Sequence, residues 1–156
     1  MSEILPAVIS GRNCYIGGRA PILALIGFYS AFNNRNIEAM ERNWWTQDDE
    51  AVMANPLGGV HRGWPAIREV YKRIFTGPAK VYVEFYEYTL HEVGEMFYAV
   101  GRERGHFERD DQRIELTIRT SRVFRKLNGR WRQVHHHGSI EDPALLDRYQ
   151  QAVRGA

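Results

Sequence analysis

The residues of this 156-residue chain best suited to chemistry are Arg102 and Arg122, the run His135-His136-His137, His61, Tyr29 and Asn55. Each guanidinium is a planar fork that fits a carboxylate or phosphate. If the strands carrying Arg102 and Arg122 adjoin and both side chains point inward, they define an anion pocket. Two buried cations need an acid between them, so the other reading pairs them with Glu103, Glu115 or Glu84. On a strand, His135 and His137 share one face and His136 takes the other. The first two are then candidates to move a proton near neutral pH, or they pack in the sheet. A metal would need further ligands, and only His61 offers itself, so no metal and no cofactor are assigned. Tyr29 is placed to steady developing negative charge. Asn55 either donates to a ligand carbonyl or caps the turn before Pro56, and His61 either meets substrate or holds its loop. Trp44, Trp45 and Tyr71 complete the candidate ligand-binding set as aromatic wall, which in a cavity-bearing fold is also core.

The elements that must position these groups follow from periodicity. Pro21 suits the first helical position, and Ile22, Leu25, Ile26, Tyr29 and Phe32 then share one helical face. The Asn33–Asn36 run ends that helix, with Asn36 as N-cap of a second one carrying Ile37, Met40, Trp44 and Trp45. A short strand over 51–55 leads to the Pro56-Gly58-Gly59 turn and a third helix from Pro65, with Ile67, Val70, Tyr71, Ile74 and Phe75 as its stripe. Four strands follow, over 81–93, 96–108, 113–126 and 130–140, punctuated by Gly94, Asp110-Asp111 and Asn128-Gly129. Ile114, Leu116 and Ile118 alternate with Glu115, Thr117 and Arg119. Asp142-Pro143 opens a last helix. The order predicts an α+β domain over residues 21–156, a strongly curved antiparallel sheet wrapped around helices with a central conical pocket. Residues 1–20 form an N-terminal arm, placed against a partner subunit.

Composition removes whole classes. Hydrophobic residues make up 44% and charged residues 26%, so extended disorder is unexpected. One cysteine, Cys14, forbids an internal disulfide and points to a cytoplasmic chain. No apolar run approaches a membrane span, so no membrane partner is expected. The net charge of +2 leaves the basic stretch 119–132 as a solvated hairpin rather than a nucleic-acid surface. Asp48-Asp49-Glu50 and Asp110-Asp111 read as turn residues.

Two stretches are distinctive: Ala54-Asn55-Pro56-Leu57-Gly58-Gly59-Val60-His61-Arg62-Gly63, and the run from Ser121 to Ser139 with Arg122-Val123-Phe124, Asn128-Gly129, Trp131 and the histidines. Together they resemble the SnoaL-like branch of the nuclear transport factor 2-like superfamily, over about residues 21–140. The resemblance implies a cystatin-like cone, and this fold hosts isomerases, dehydratases and binding modules alike. Ketosteroid isomerases are similar around the same turn. Carrying their pattern over puts Asn55 at the base, Phe28 at the oxyanion tyrosine and Ser121 near the second acid. An amide cannot take that proton, so the isomerase mechanism is not expected. The chain is also similar to the association domain of calcium/calmodulin-dependent protein kinase II. That likeness implies pocket arginines at Arg122 and Arg102, with Gly138 standing where a third would be.

The expectation is therefore a small-molecule-binding protein, acting as a cofactor-independent lyase or isomerase on a polar or carboxylated compound, or else a non-catalytic binding or assembly module. A homodimer is expected through the outer sheet face. The strand over 81–93 has large apolar residues on both faces, Val81, Val83 and Phe85 on one and Tyr82, Tyr86 and Tyr88 on the other, and such a face is not left in water.

Overall fold

In a computed structural model, residues 4–154 are described. The first three residues of the expected arm and the last two of the domain lie outside them. Helix α1 (Ala20–Asn33) starts with proline in its first turn and buries Ile22, Leu25, Phe28 and Tyr29. It stops where Arg35 enters the left-handed region at φ 54°. The Asn36 side chain then accepts from the Ala39 N–H and caps α2 (Ile37–Asn43). Helix α3 (Trp64–Thr76) buries Trp64, Ile67 and Tyr71. Asp142 Oδ1 accepts from the Ala144 N–H at 2.9 Å, which caps α4 (Pro143–Arg154).

Seven strands form one sheet, β1 (Val8–Ile9), β2 (Val52–Ala54), β3 (His61–Arg62), β4 (Lys80–Val93), β5 (Met96–Arg109), β6 (Gln112–Leu127) and β7 (Arg130–Ser139), in the order β1-β4-β5-β6-β7-β2-β3. The long strands β4 to β7 are the antiparallel meander that the alternation predicts. Two short strands go beyond the prediction. Val8–Ile9 of the arm add to the edge of β4 in the same chain, whereas the arm was expected on a partner. His61 is not in a loop but on β3, paired with Met53. Strand β2 runs parallel to β7, with Met53 opposite His136.

Tight curvature needs missing side chains. A Cβ at Gly105 would come within 1.8 Å of the Tyr82 carbonyl oxygen, so β4 folds over β5 only because glycine stands there. A bulge between Tyr86 and Thr89, with Glu87 at φ 48°, reverses the parity of β4. Tyr88 consequently turns inward and stacks on Phe85 at 5.2 Å, contrary to its expected place beside Tyr82 and Tyr86.

The inner row of β6 is Ile114, Leu116, Ile118, Thr120, Arg122 and Phe124, all buried. One part of the core packs α1, α2 and α3 on Phe85, Phe97 and Phe124. The other packs α4 on Phe107, Ile114, Leu116 and Ile118. Between them lies a cavity.

Candidate functional site

The cavity has a volume of about 340 Å³, within the usual range for small-molecule sites. Its walls are apolar, supplied by Phe28, Phe32, Met53, Leu57, Ile74 and Leu116 among others. Its deep end is polar and carries Glu103, Arg122, Tyr71 and His136.

Arg122 reaches this position through strict alternation on β6, and it is 2% exposed. Its Nη2 donates to Glu103 Oε2 at 3.0 Å, its Nη1 to Gln133 Oε1 at 2.8 Å and its Nε to the Tyr29 hydroxyl at 3.3 Å. The guanidinium carbon lies 3.6 Å from the centre of the Phe28 ring, a cation–π contact strengthened by desolvation. Tyr29 donates to the same Glu103 oxygen at 2.6 Å. Burial first, then the Glu103 charge, push the Tyr29 hydroxyl well above its ordinary range, with Arg122 opposing. It therefore stays a protonated donor.

The network has a fixed polarity. Because Gln133 Oε1 accepts from Arg122, its Nε2 donates to Asn43 Oδ1 at 3.1 Å, and Asn43 Nδ2 donates to the Ala24 carbonyl at 3.0 Å. The deep charge is thereby balanced inside the protein: one guanidinium, one carboxylate, and neutral dipoles reaching back to α1. A carboxylate ligand would have to compete with Glu103 for a cation already satisfied.

His136 stands opposite Arg122 across the β6–β7 ladder. Its Nδ1 is sealed from solvent with no hydrogen-bond partner. Burial chiefly, and the Arg122 charge next, hold its pKa well below the usual histidine value. The ring is neutral at physiological pH. Tyr71 is buried in the wall of the same cavity, its hydroxyl pushed up by burial and drawn down by Arg122 and by the Trp44 indole.

Of the sequence-predicted residues, Arg122, Tyr71, Asn55 and His61 line the cavity. Asn55 Oδ1 also accepts from the Leu57 N–H at 3.0 Å, so its side chain holds the turn before Pro56. Tyr29 lies behind Glu103 and Arg122 rather than in the wall. Three expectations are corrected. Arg102 does not share the cavity with Arg122. It lies on the outer face, where it pairs with Glu141 at 2.8 Å and Glu87 at 3.6 Å, because the inward positions of β5 are the odd ones from Phe97 to Phe107. His135 and His137 also face outward: His137 is exposed, and His135 Nδ1 lies 3.0 Å from the Val52 carbonyl. A bulge at Val134 between the Val123–His135 and Phe124–Gln133 pairs reverses the face, so His136 takes the inward place. Trp44 and Trp45 line no part of the cavity. Trp44 is core beside Tyr71, and Trp45 carries the Arg125 guanidinium 4.7 Å from its ring.

The sequence reading missed His136, Gln133 and Asn43, and it weighed Glu103 only as an ion-pair partner. Apolar residues stand at both parities of β5, Tyr98 and Val100 as well as Phe97 and Phe107, so the sequence alone did not set Glu103 inward. Nothing in the residues around Val134 marks a bulge. Among the described residues, no cluster of His, Cys, Asp or Glu side chains could hold a metal ion.

The SnoaL-like domain family matches residues 23–143. The chain belongs to this family. No curated protein matches this SnoaL-like chain in sequence. Solved structures share its fold. A proposed dehydratase of the NTF2-like family from Streptomyces avermitilis is 19% identical, with TM-score 0.68, covering 78% of this chain and 93% of that one. A proposed calcium/calmodulin-dependent protein kinase type II association domain from Thiobacillus denitrificans is 22% identical, with TM-score 0.63, covering 79% and 96%. An NTF2-like superfamily protein from Salmonella enterica is 22% identical, with TM-score 0.67, covering 77% and 87%. The SnoaL-like chain thus has the NTF2-like, cystatin-like fold, and no helix among its described residues is long and apolar enough to cross a membrane.

Proposed function

We propose that this SnoaL-like protein binds a small, mainly apolar molecule bearing a neutral hydrogen-bonding group, and moves a proton on it as a cofactor-independent lyase or isomerase. The observation that carries the reading is His136, a buried neutral imidazole in the wall of an apolar cavity, next to an internally balanced ion pair. A carbonyl seated at the deep end would meet Tyr71 and the rim of the Arg122 guanidinium. His136 would take a proton from the adjacent carbon, the electron pair would pass to the carbonyl oxygen, and the donors beside it would stabilise the enolate. The proton then returns at another carbon, or leaves in water with a β-hydroxyl. The Streptomyces avermitilis neighbour, a proposed dehydratase, agrees with the second course.

The test is a thermal-shift panel of neutral ketones and amides with matched carboxylates, followed by NMR of α-proton exchange in D2O. A ligand at 100 times its Kd should stabilise the fold by about 2.7 kcal/mol. Neutral compounds are expected to shift wild type, and exchange is expected to vanish in His136→Gln while binding survives. Absence of any shift overturns the binding reading. Unchanged exchange in the variant overturns the role of His136 and leaves a non-catalytic binder.

A homodimer is a second proposal. Val93, Met96, Tyr98 and Val100 are exposed on β4 and β5, and one neighbour is named for association. Sedimentation equilibrium should give a dimer for wild type and a monomer for Val100→Asp.

A further inference from the structure

The deep end of the cavity is electrically closed, but its mouth is not. The exposed lining residues mark that mouth: Arg73 on α3, Gly58 in the β2–β3 loop and Val153 on α4, with His61 half-buried beside them. Arg73 forms no ion pair among the described residues, whereas Arg35, also near the end of α3, donates to the Ile74, Gly77 and Ala79 carbonyls. Among the described residues, the only carboxylate in the lining is Glu103, at the far end and already taken by Arg122. The cavity therefore runs from a free cation at the solvent rim, through apolar walls, to a neutral hydrogen-bonding floor.

We infer that the ligand is amphipathic and enters tail first, an apolar body in the cavity with an acidic group, carboxylate, sulfonate or phosphate, held at the mouth by Arg73 with His61 at its side. The inference rests on the cavity being a binding site. It moves the anionic contact from the floor, where Arg122 is satisfied, to the rim. An acid there keeps its hydration on one side and avoids the cost of complete burial. Arg73 also supplies the long-range attraction that raises encounter rates for anions.

Two dyes separate the contributions. N-phenyl-1-naphthylamine is neutral, and 1-anilinonaphthalene-8-sulfonate has a similar apolar body with one sulfonate. Fluorescence titrations use wild type, Arg73→Ala, Arg73→Glu and the cavity-filling Val70→Trp, each checked for folding by circular dichroism. Both dyes are expected to bind wild type and to be excluded from Val70→Trp. Sulfonate affinity should fall about threefold in Arg73→Ala and about tenfold in Arg73→Glu, as for a solvent-exposed charge pair. The neutral dye should change less than twofold. In 0.5 M NaCl the difference between wild type and Arg73→Glu should shrink. If both dyes enter the cavity and the sulfonate ignores Arg73, the amphipathic inference is wrong and the cavity reading stands. If neither dye binds, or binding survives Val70→Trp, the cavity reading fails and takes the inference with it.

Discussion

Removing the Arg122 side chain, as in Arg122→Met, strands a buried charge. Glu103 is 4% exposed and would keep only the Tyr29 hydroxyl as partner, and Gln133, fully buried, would lose its 2.8 Å donor. Breaking a buried pair from one side costs about 3–5 kcal/mol, a large share of a total stability of about 5–15 kcal/mol. Glu103→Leu, which leaves the guanidinium uncompensated, should cost a similar amount. The double variant should not cost the sum. With both charges gone the desolvation penalty goes with them, and replacing a buried pair by apolar groups is often neutral or better. What remains is the unpaired Tyr29 hydroxyl and Gln133 oxygen, at about 1–3 kcal/mol each. Adding Tyr29→Phe should recover part of that loss. The assay is urea unfolding followed by the fluorescence of the four tryptophans. For a slope of about 2 kcal/mol per M, a 4 kcal/mol loss moves the midpoint by about 2 M. A double-mutant cycle with coupling of at least about 3 kcal/mol is expected. Singles that each cost under about 1 kcal/mol, or a double equal to their sum, would refute the view that this network is a mutually dependent buried pair.

Three further outcomes are expected. His136 has a folded-state pKa below its unfolded one, so the unfolded chain binds the extra proton. Its contribution is fully present above about pH 6.5 and is lost as pH falls toward the folded pKa, with a slope of at most about 1.4 kcal/mol per pH unit. Urea midpoints between pH 7.5 and 5 should show this slope in wild type, and His136→Gln should flatten it. Gly11 sits at φ 85°, and a Cβ there would lie 2.3 Å from the Ser30 nitrogen. Gly11→Ala should therefore release the arm, seen as faster hydrogen exchange at Val8 and Ile9, with the exchange of β6 unchanged. Arg35 holds three carbonyls from a left-handed backbone. Arg35→Gly keeps the backbone relaxed and should still cost about 1.5–3 kcal/mol in chemical unfolding, since the lost bonds are charge-assisted.

Legibility in the sequence followed the strength of the local rules. The stripe on α1 placed Ile22, Leu25 and Tyr29 in the core, and the Asn36 and Asp142 caps were readable because a side-chain oxygen before a helix has one natural use. On β6, Ile114 to Phe124 alternate so cleanly that Arg122 had to face inward. On β5 both parities are apolar, Tyr98 and Val100 against Phe97 and Phe107, so Arg102 and Glu103 competed for the inner place and only the register decided. The bulges at Glu87 and Val134 carry no glycine or proline, and each reverses every side chain beyond it. One unseen residue of slip therefore exchanged His135 and His137 for His136 and brought Tyr88 inside. The Gln133–Asn43 link joins β7 to α2, which only the folded chain brings together.

Both margins of the sheet come from the first half of the chain: β1 closes one side on β4, and β2 with β3 closes the other on β7. Each pairs with a strand that leaves the ribosome much later, Ile9 with Phe85 and Met53 with His136. The meander of β4 to β7 can form by neighbouring hairpins, but the earlier segments must wait for it. During synthesis, then, the first-made apolar pieces are the last to find their place, and the floor of the cavity cannot exist until β7 has emerged. Such long-range closure slows folding. It also makes the nascent chain, with α1 displayed before its sheet exists, the stage at which this protein is most exposed to aggregation and most dependent on chaperones.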